Sequence, residues 1–186
     1  MALKRGETHI APVHLLDEKG EYNTSYLEKY LGEFALLKFI KRVQGFMVKK
    51  GNPLNINGFE DLKRVRFVNR QKGSGTRMLL DYHLNKLSID SREINGYERE
   101  EVTHLNVAAQ VASKSADCGL GVLSAAQFMG LDFIPVCFEE YDIAISKEML
   151  YDERFKCFLE VVKSKEFKDK LFEIGGYEIN SLDIIY

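Results

Sequence analysis

The chain has 186 residues, 45% hydrophobic and 29% charged, with a formal net charge of −2 and a pI near 6.1. This fits a globular protein of one large domain or two small lobes. It gives no global basic field to suggest nucleic acid, and no apolar run approaches the ~20 residues a membrane helix needs.

The N-terminus, Met1-Ala-Leu-Lys-Arg-Gly-Glu7, lacks the apolar core of a secretory signal. Cys118, Cys137 and Cys157 have neither disulfide-framework nor zinc spacing. A cytoplasmic setting is expected, with no metal and no cofactor. Each cysteine reads first as a small buried apolar residue.

The first predicted element is a strand over residues 9–16, ended by the turn signal Asp17-Glu-Lys-Gly20. A chain that begins almost directly with a core strand is expected to be part of a longer gene product. Tyr22, Tyr26, Leu27 and Tyr30 predict a short helix that Gly32 stops. Residues 34–50 read as one long strand bent at Gly45, broken by Gly51-Asn-Pro53. A short helix over 59–63 precedes a strand over 65–69.

A glycine-rich turn follows, and a helix over 76–87 with Met78, Leu79, Tyr82 and Leu84 on its apolar side. Residues 88–96 read as loop and 97–102 as a charged, exposed segment. A helix capped by Thr103 runs to Ser113, and a buried strand over 116–122 ends near Gly121. Ser124 starts a helix that Gly130 ends. A strand over 131–138, broken by Pro135, precedes another over 141–146. Two amphipathic helices, 152–162 and 165–174, close the chain before Gly175-Gly176, and the tail Ile184-Ile185-Tyr186 packs or pairs at an edge. The alternation of strands and helices predicts an α/β protein with mostly parallel sheets.

The stretch with the clearest chemistry is Phe67-Val-Asn-Arg-Gln-Lys-Gly-Ser-Gly-Thr-Arg77. Gly73 and Gly75 allow a tight turn and close approach of a ligand to the backbone. Ser74 or Thr76 can cap the helix that follows. The first turn of that helix presents N–H groups and a partial positive charge, which suit an anion. Arg70, Lys72 and Arg77 add formal charge. The alternative is a plain turn with a solvated arginine. No Gly-Lys-Ser/Thr ends the stretch, so it is not a Walker loop, and the third glycine of the dinucleotide fingerprint is missing.

Several further segments occur in order with this one: Arg5-Gly-Glu7, His14-Leu-Leu-Asp17, Gln44-Gly-Phe-Met47, Gly51-Asn-Pro53, Thr103-His104, Ala116-Asp-Cys-Gly-Leu-Gly121 and Leu131-Asp-Phe-Ile-Pro135. Together they resemble the periplasmic-binding-protein-like domain of prokaryotic molybdate-uptake and molybdopterin-biosynthesis proteins. In that family the domain occurs alone, after a MoeA-type molybdotransferase region, or after a helix-turn-helix. Family members carry a further strand–helix–strand segment before the Arg-Gly-Glu stretch, which this chain lacks.

The resemblance implies a type 2 binding-protein fold, with two α/β lobes closing on a small ligand by a hinge. Lobe one is expected at residues 1–50 with 143–186, and lobe two at 51–142. It implies an anionic ligand, with molybdate or tungstate foremost. Ser74, Gly75, Thr76 and Arg77 are then the anion-facing helix start, with Asn69 and Arg70 before it. His14 and Asp17 then end a strand of lobe one and face the cleft, and Cys118, Gly119 and Gly121 line the cleft from the second lobe.

No acid–base or nucleophile constellation is present in the sequence. The expected function is therefore non-catalytic binding, as a sensor or carrier. The alternatives are an accessory domain of a molybdenum-cofactor enzyme and the effector half of a transcription regulator. No direct nucleic-acid or membrane contact is expected. The sequence does not give the oligomeric state; a lobe short of an edge strand leaves a homodimer that covers the open edge as one hypothesis.

Overall fold

The computed structural model describes residues 3–28 and 33–185. In chain order the elements are β1 (Ile10–Val13), α1 (Thr24–Glu28), β2 (Phe34–Val48), β3 (Phe67–Arg70), α2 (Gly75–Lys86), β4 (Glu100–Glu101), α3 (His104–Ala112) and β5 (Cys118–Val122). Then come α4 (Leu123–Phe128), β6 (Asp132–Ser146), α5 (Glu153–Lys163), α6 (Lys165–Ile174), β7 (Tyr177–Ile179) and β8 (Ile184–Ile185). The chain divides into two compact units, one of Met1–Arg42 with Glu139–Tyr186 and a second of Val43–Phe138. Both divisions fall inside strands, β2 and β6.

In the first unit β1 pairs antiparallel with β6, from Ile10 opposite Ile145 to Val13 opposite Asp142. The strands β7 and β8 lie antiparallel to β2, with Ile40 opposite Ile179 and Leu36 opposite Ile185. The run Phe34-Ala-Leu-Leu37 is apolar at every position because both faces of this sheet are covered. Phe34 and Leu36 pack with Ala144 on one face, and Leu37 packs with Ile143, Ile145 and Phe155 on the other. The period of two along each strand accounts for the split. Asp152 caps α5 by accepting the Arg154 N–H, and Ser164 caps α6 by accepting that of Phe167. Phe158 and Phe167 bring these helices onto Phe39.

Beneath that apolar layer lies a buried charged cluster. Asp142 and Glu139 are fully buried. Lys38 reaches Asp142 at 2.8 Å and also pairs with Glu140. Arg42 pairs with Glu139 and lies 4.5 Å from the centre of the Tyr141 ring. The Asn23 amide donates to Asp142 at 2.9 Å, while its Oδ1 accepts the Leu15 N–H at 2.7 Å, tying the segment after β1 to β6.

In the second unit the order is β2-β5-β3-β4. β2 and β5 are antiparallel, whereas β5-β3 and β3-β4 are parallel. Met47 and Val68 face α3 and α4, packing with Val107, Ala108, Val111, Ala125 and Ala126. Alternation turns Phe46 to the other face, where it meets Phe59 edge-on, and Phe59 stacks on His83 of α2 at 4.4 Å. Helices α2, α3 and α4 each follow a parallel strand, so their N-termini lie along the carboxyl edge of β3, β4 and β5.

Three expectations change. The sheets are not mostly parallel: β5-β3-β4 is, whereas β1 lies antiparallel to β6, and β5, β7 and β8 lie antiparallel to the long strand β2. Pro135 does not break the chain, and residues 132–146 form one strand. Proline's fixed φ suits extended backbone, and Pro135 is exposed, where its missing N–H is tolerated. Residues 97–102 are exposed at most positions but also supply β4, paired with β3 at Asn69 opposite Glu100. The predicted stop of α1 at Gly32 lies outside the described residues.

Candidate functional site

The glycine-rich turn sits at the carboxyl edge of β3, where parallel α/β units present ligand-binding loops. β3 ends at Arg70, the Ser74 N–H donates to the Gln71 carbonyl at 3.2 Å, and Gly73 takes a φ of +84°, a conformation that suits glycine. Ser74 is the N-cap of α2, its hydroxyl accepting the Arg77 N–H at 3.2 Å. One first-turn donor is thereby satisfied, and the others have no partner within the helix. Gly75, Thr76 and Arg77 are buried.

Side chains fix this turn from three directions. The Thr76 hydroxyl lies 3.1 Å from Nε2 and 3.4 Å from Oε1 of Gln44, a fully buried residue of β2. Asn69 is 1% exposed, with Nδ2 donating to the Tyr97 carbonyl at 3.0 Å and Oδ1 accepting the Arg70 N–H at 2.9 Å. Arg70 donates from Nε to the Glu101 carbonyl at 3.3 Å and from Nη2 to the Val102 carbonyl at 2.8 Å. The turn after β3 is therefore latched to the junction of β4 and α3. Thr103 caps α3 by accepting the Asn106 N–H at 3.0 Å, and His104 begins the helix.

Arg77 is 3% exposed. Its Nε faces Asp81 at 3.3 Å and its Nη1 faces Glu100 at 3.1 Å, and the guanidinium lies 3.9 Å from the centre of the Tyr97 ring. Nη2 makes no hydrogen bond among the described residues. Burial pulls the Arg77 pKa down, but the contacts with Tyr97 and Asp81 outweigh it, so the group remains a cation. Burial and then the bond to Asp81 raise the pKa of the Tyr97 phenol, which stays protonated and donates at 2.7 Å.

The other predicted residues lie elsewhere in character. Cys118 is fully buried between Phe67 and Val48, and burial raises its thiol pKa far above the ordinary value. A Cβ on Gly119 would lie 2.3 Å from Cγ1 of Val107, so Gly119 is where α3 seats against β5. A Cβ on Gly121 would lie 2.7 Å from Met47 and 3.2 Å from Nδ1 of His104. In the first unit His14 stacks on Tyr141 with ring centres 5.1 Å apart, and Asp17 accepts the N–H groups of Lys19 and Glu21 in a turn.

Asn69, Arg70, Ser74, Gly75, Thr76 and Arg77 are thus brought together in the second unit. Sequence reading missed Gln44, Asp81, Tyr97 and Glu100. Only the Arg77–Asp81 pair, spaced i,i+4 on a helix, left a local signal; the rest arrive from 20 or more residues away. Among the described residues no group of three His, Cys, Asp or Glu could hold a metal ion, and no helix is long and apolar enough to cross a membrane.

The mixed sheet with helices following parallel strands defines an α/β binding-protein fold. The chain belongs to the periplasmic-binding-protein-like family, matching the PBP superfamily domain over residues 1–163. Domains of this superfamily generally bind ligands without catalysis. It is 40% identical over 179 residues to the uncharacterized protein YvgK of Bacillus subtilis, covering 94% of this chain and 58% of that protein. The chain therefore spans less than two thirds of that relative's length. It is 38% identical over 104 residues to a Clostridium pasteurianum protein from the 5′ region of a 2Fe-2S ferredoxin gene, covering 55% of this chain and 92% of that one.

Among solved structures, the regulatory domain of MetR, a LysR family regulator from N. meningitidis, superposes with TM-score 0.63 at 14% identity, covering 97% of this chain and 81% of that one. An ancestral arginine-binding protein bound to arginine gives 0.62 at 20% identity, covering 94% and 75%. An ABC-type phosphate transport receptor from Vibrio cholerae gives 0.56 at 16% identity, covering 94% and 81%. At these identities the likeness shows the fold.

Proposed function

We propose that the chain binds a small anionic ligand reversibly, as a sensor or carrier domain, with the anion seated at the start of α2. The observation that carries this reading is the latched turn. Ser74, Thr76, Asn69 and Arg70 are all held in place by bonds of their own, so the first-turn N–H groups of α2 are fixed before any ligand arrives. Preorganised donors of this kind bind an anion without a reorganisation cost. Arg77 lends positive charge behind the turn.

The sequence resemblance points to molybdate or tungstate. The structural neighbours named for phosphate and arginine extend the candidates to phosphate and to carboxylates. The regulatory-domain neighbour favours an effector-binding role within a longer protein.

Calorimetric titration tests this, using molybdate, tungstate, phosphate and single amino acids against the wild type and Thr76→Val. Saturable heat with one of them, weakened about tenfold or more in the variant, is expected from loss of a hydroxyl that orients the turn. No heat and no thermal stabilisation with any of the panel would remove the reading.

A further inference from the structure

The surroundings of Arg77 bear on which anion is taken, and this step rests on the reading above. Three cations, Arg70, Lys72 and Arg77, surround the turn and its latch. Four carboxylates accompany them: Asp81 and Glu100 on Arg77, Glu98 on Lys72 at 3.3 Å, and Glu101, whose side chain accepts from Gln110 at 2.7 Å. The local formal balance is therefore slightly negative, although the turn itself suits an anion. Glu100 is the closest carboxylate to the buried guanidinium, at 3.1 Å, and its own side chain is 30% exposed. It sits on the two-residue strand β4, whose register with Asn69 holds it beside the turn. The Tyr97 ring covers one face of the guanidinium, the two acids take Nε and Nη1, and Nη2 is left as the unbonded edge.

We propose that Glu100 is a specificity-determining residue: by partly neutralising Arg77 it makes the site select a singly charged group, such as a carboxylate, over a dianionic oxyanion. Coulomb energy scales with the charge of the ligand. A fixed negative charge near the seat therefore weakens a dianion twice as much, on a logarithmic scale, as a monoanion. Backbone N–H donors at a helix start serve a planar carboxylate as well as a tetrahedral anion, so charge decides between them.

The test measures binding of molybdate and phosphate beside a panel of free amino acids and monocarboxylates, at fixed ionic strength, to the wild type, Glu100→Gln and Glu98→Gln. The expected wild-type ligand is a carboxylate. In Glu100→Gln the affinity for a monocarboxylate should rise about threefold and that for the dianions about tenfold, the square of the first factor. Glu98→Gln removes the same formal charge from an exposed, screened position and should move both by less than twofold or so.

A purely structural latch would shift monoanions and dianions by equal factors, and that result overturns the assignment of Glu100 while leaving anion binding in place. Wild-type protein that prefers molybdate to every carboxylate also overturns it. Binding of nothing in the panel by any variant removes the underlying anion-site reading instead. Asp81→Asn, on the other side of Arg77, serves as the second variant if Glu100→Gln does not fold. It carries the same prediction of a squared factor.

Discussion

Gly119 offers the most direct check on how the second unit is built. A Cβ at this position would lie 2.3 Å from Cγ1 of Val107 and 3.1 Å from Cγ1 and the carbonyl oxygen of Val68. Real Cβ atoms do not approach carbon so closely, so Gly119→Ala must push α3 away from β5 or force Val107 off its rotamer. Overpacking of this kind costs about 1–3 kcal/mol. The unit is Val43–Phe138, in the size range where 1 kcal/mol moves Tm by about 4–8 °C.

Gly119→Ala is therefore expected to lower the melting temperature of this unit by roughly 4–24 °C. Thermal unfolding followed by far-ultraviolet circular dichroism would report it, and urea unfolding would show the same loss as a lower midpoint with an unchanged m-value. The companion is Val107→Ala. Alone it leaves a cavity and destabilises, but combined with Gly119→Ala it removes the colliding methyl, so the double variant should be more stable than the sum of the two losses predicts. A Gly119→Ala protein that melts within about 2 °C of the wild type, or strict additivity in the double variant, would refute the packing role.

Two further outcomes are expected. Burial against Phe59, and secondarily the charge of Lys86, lowers the pKa of His83, so the folded form favours the neutral imidazole. Its contribution to stability is complete above the unfolded pKa of about 6.5 and is lost as pH falls through the folded value. The urea midpoint should fall more between pH 7.5 and 5 for the wild type than for His83→Gln, and equal slopes would exclude the effect. In the first unit, Glu139→Ala strips the carboxylate from the partly buried Arg42 and should cost about 3–5 kcal/mol by chemical denaturation, most of it recovered in the Arg42→Met/Glu139→Leu double variant; a loss under about 1 kcal/mol would mean that water already solvates the pair.

The elements that sequence reading placed well are those whose signals are local. Thr103, Asp152 and Ser164 cap α3, α5 and α6, and each lies directly before its apolar periodicity. The strand β2 was visible because a run buried on both faces is apolar throughout. Direction of pairing left no such mark. Nothing within residues 132–146 states that the strand continues through Pro135, or that β1 runs antiparallel to it, because both depend on partners far along the chain. The same holds at the candidate site. Ser74 and Thr76 announced themselves as polar residues at a helix start, while Gln44 reaches Thr76, Tyr97 reaches Asn69 and Glu100 reaches Arg77 only through the fold of the sheet.

The glycines of the two motifs look alike in sequence and act differently in space. Gly73 adopts a positive φ with nothing within 4 Å of its missing Cβ, so it serves the turn itself. Gly119 has no such conformation and is needed for closeness: without a side chain it lets Val107 rest on β5. That packing sets the height of α3 above the sheet. The start of α3 follows β4 at the same carboxyl edge as the glycine-rich turn, and the Val102 carbonyl just before it accepts Arg70. A glycine remote from the proposed anion seat thus helps fix the latch around the glycine-rich turn. Substitution at Gly119 is therefore expected to loosen anion binding as well as stability, whereas Gly73→Ala strains the backbone at the turn directly and leaves the packing of α3 unchanged.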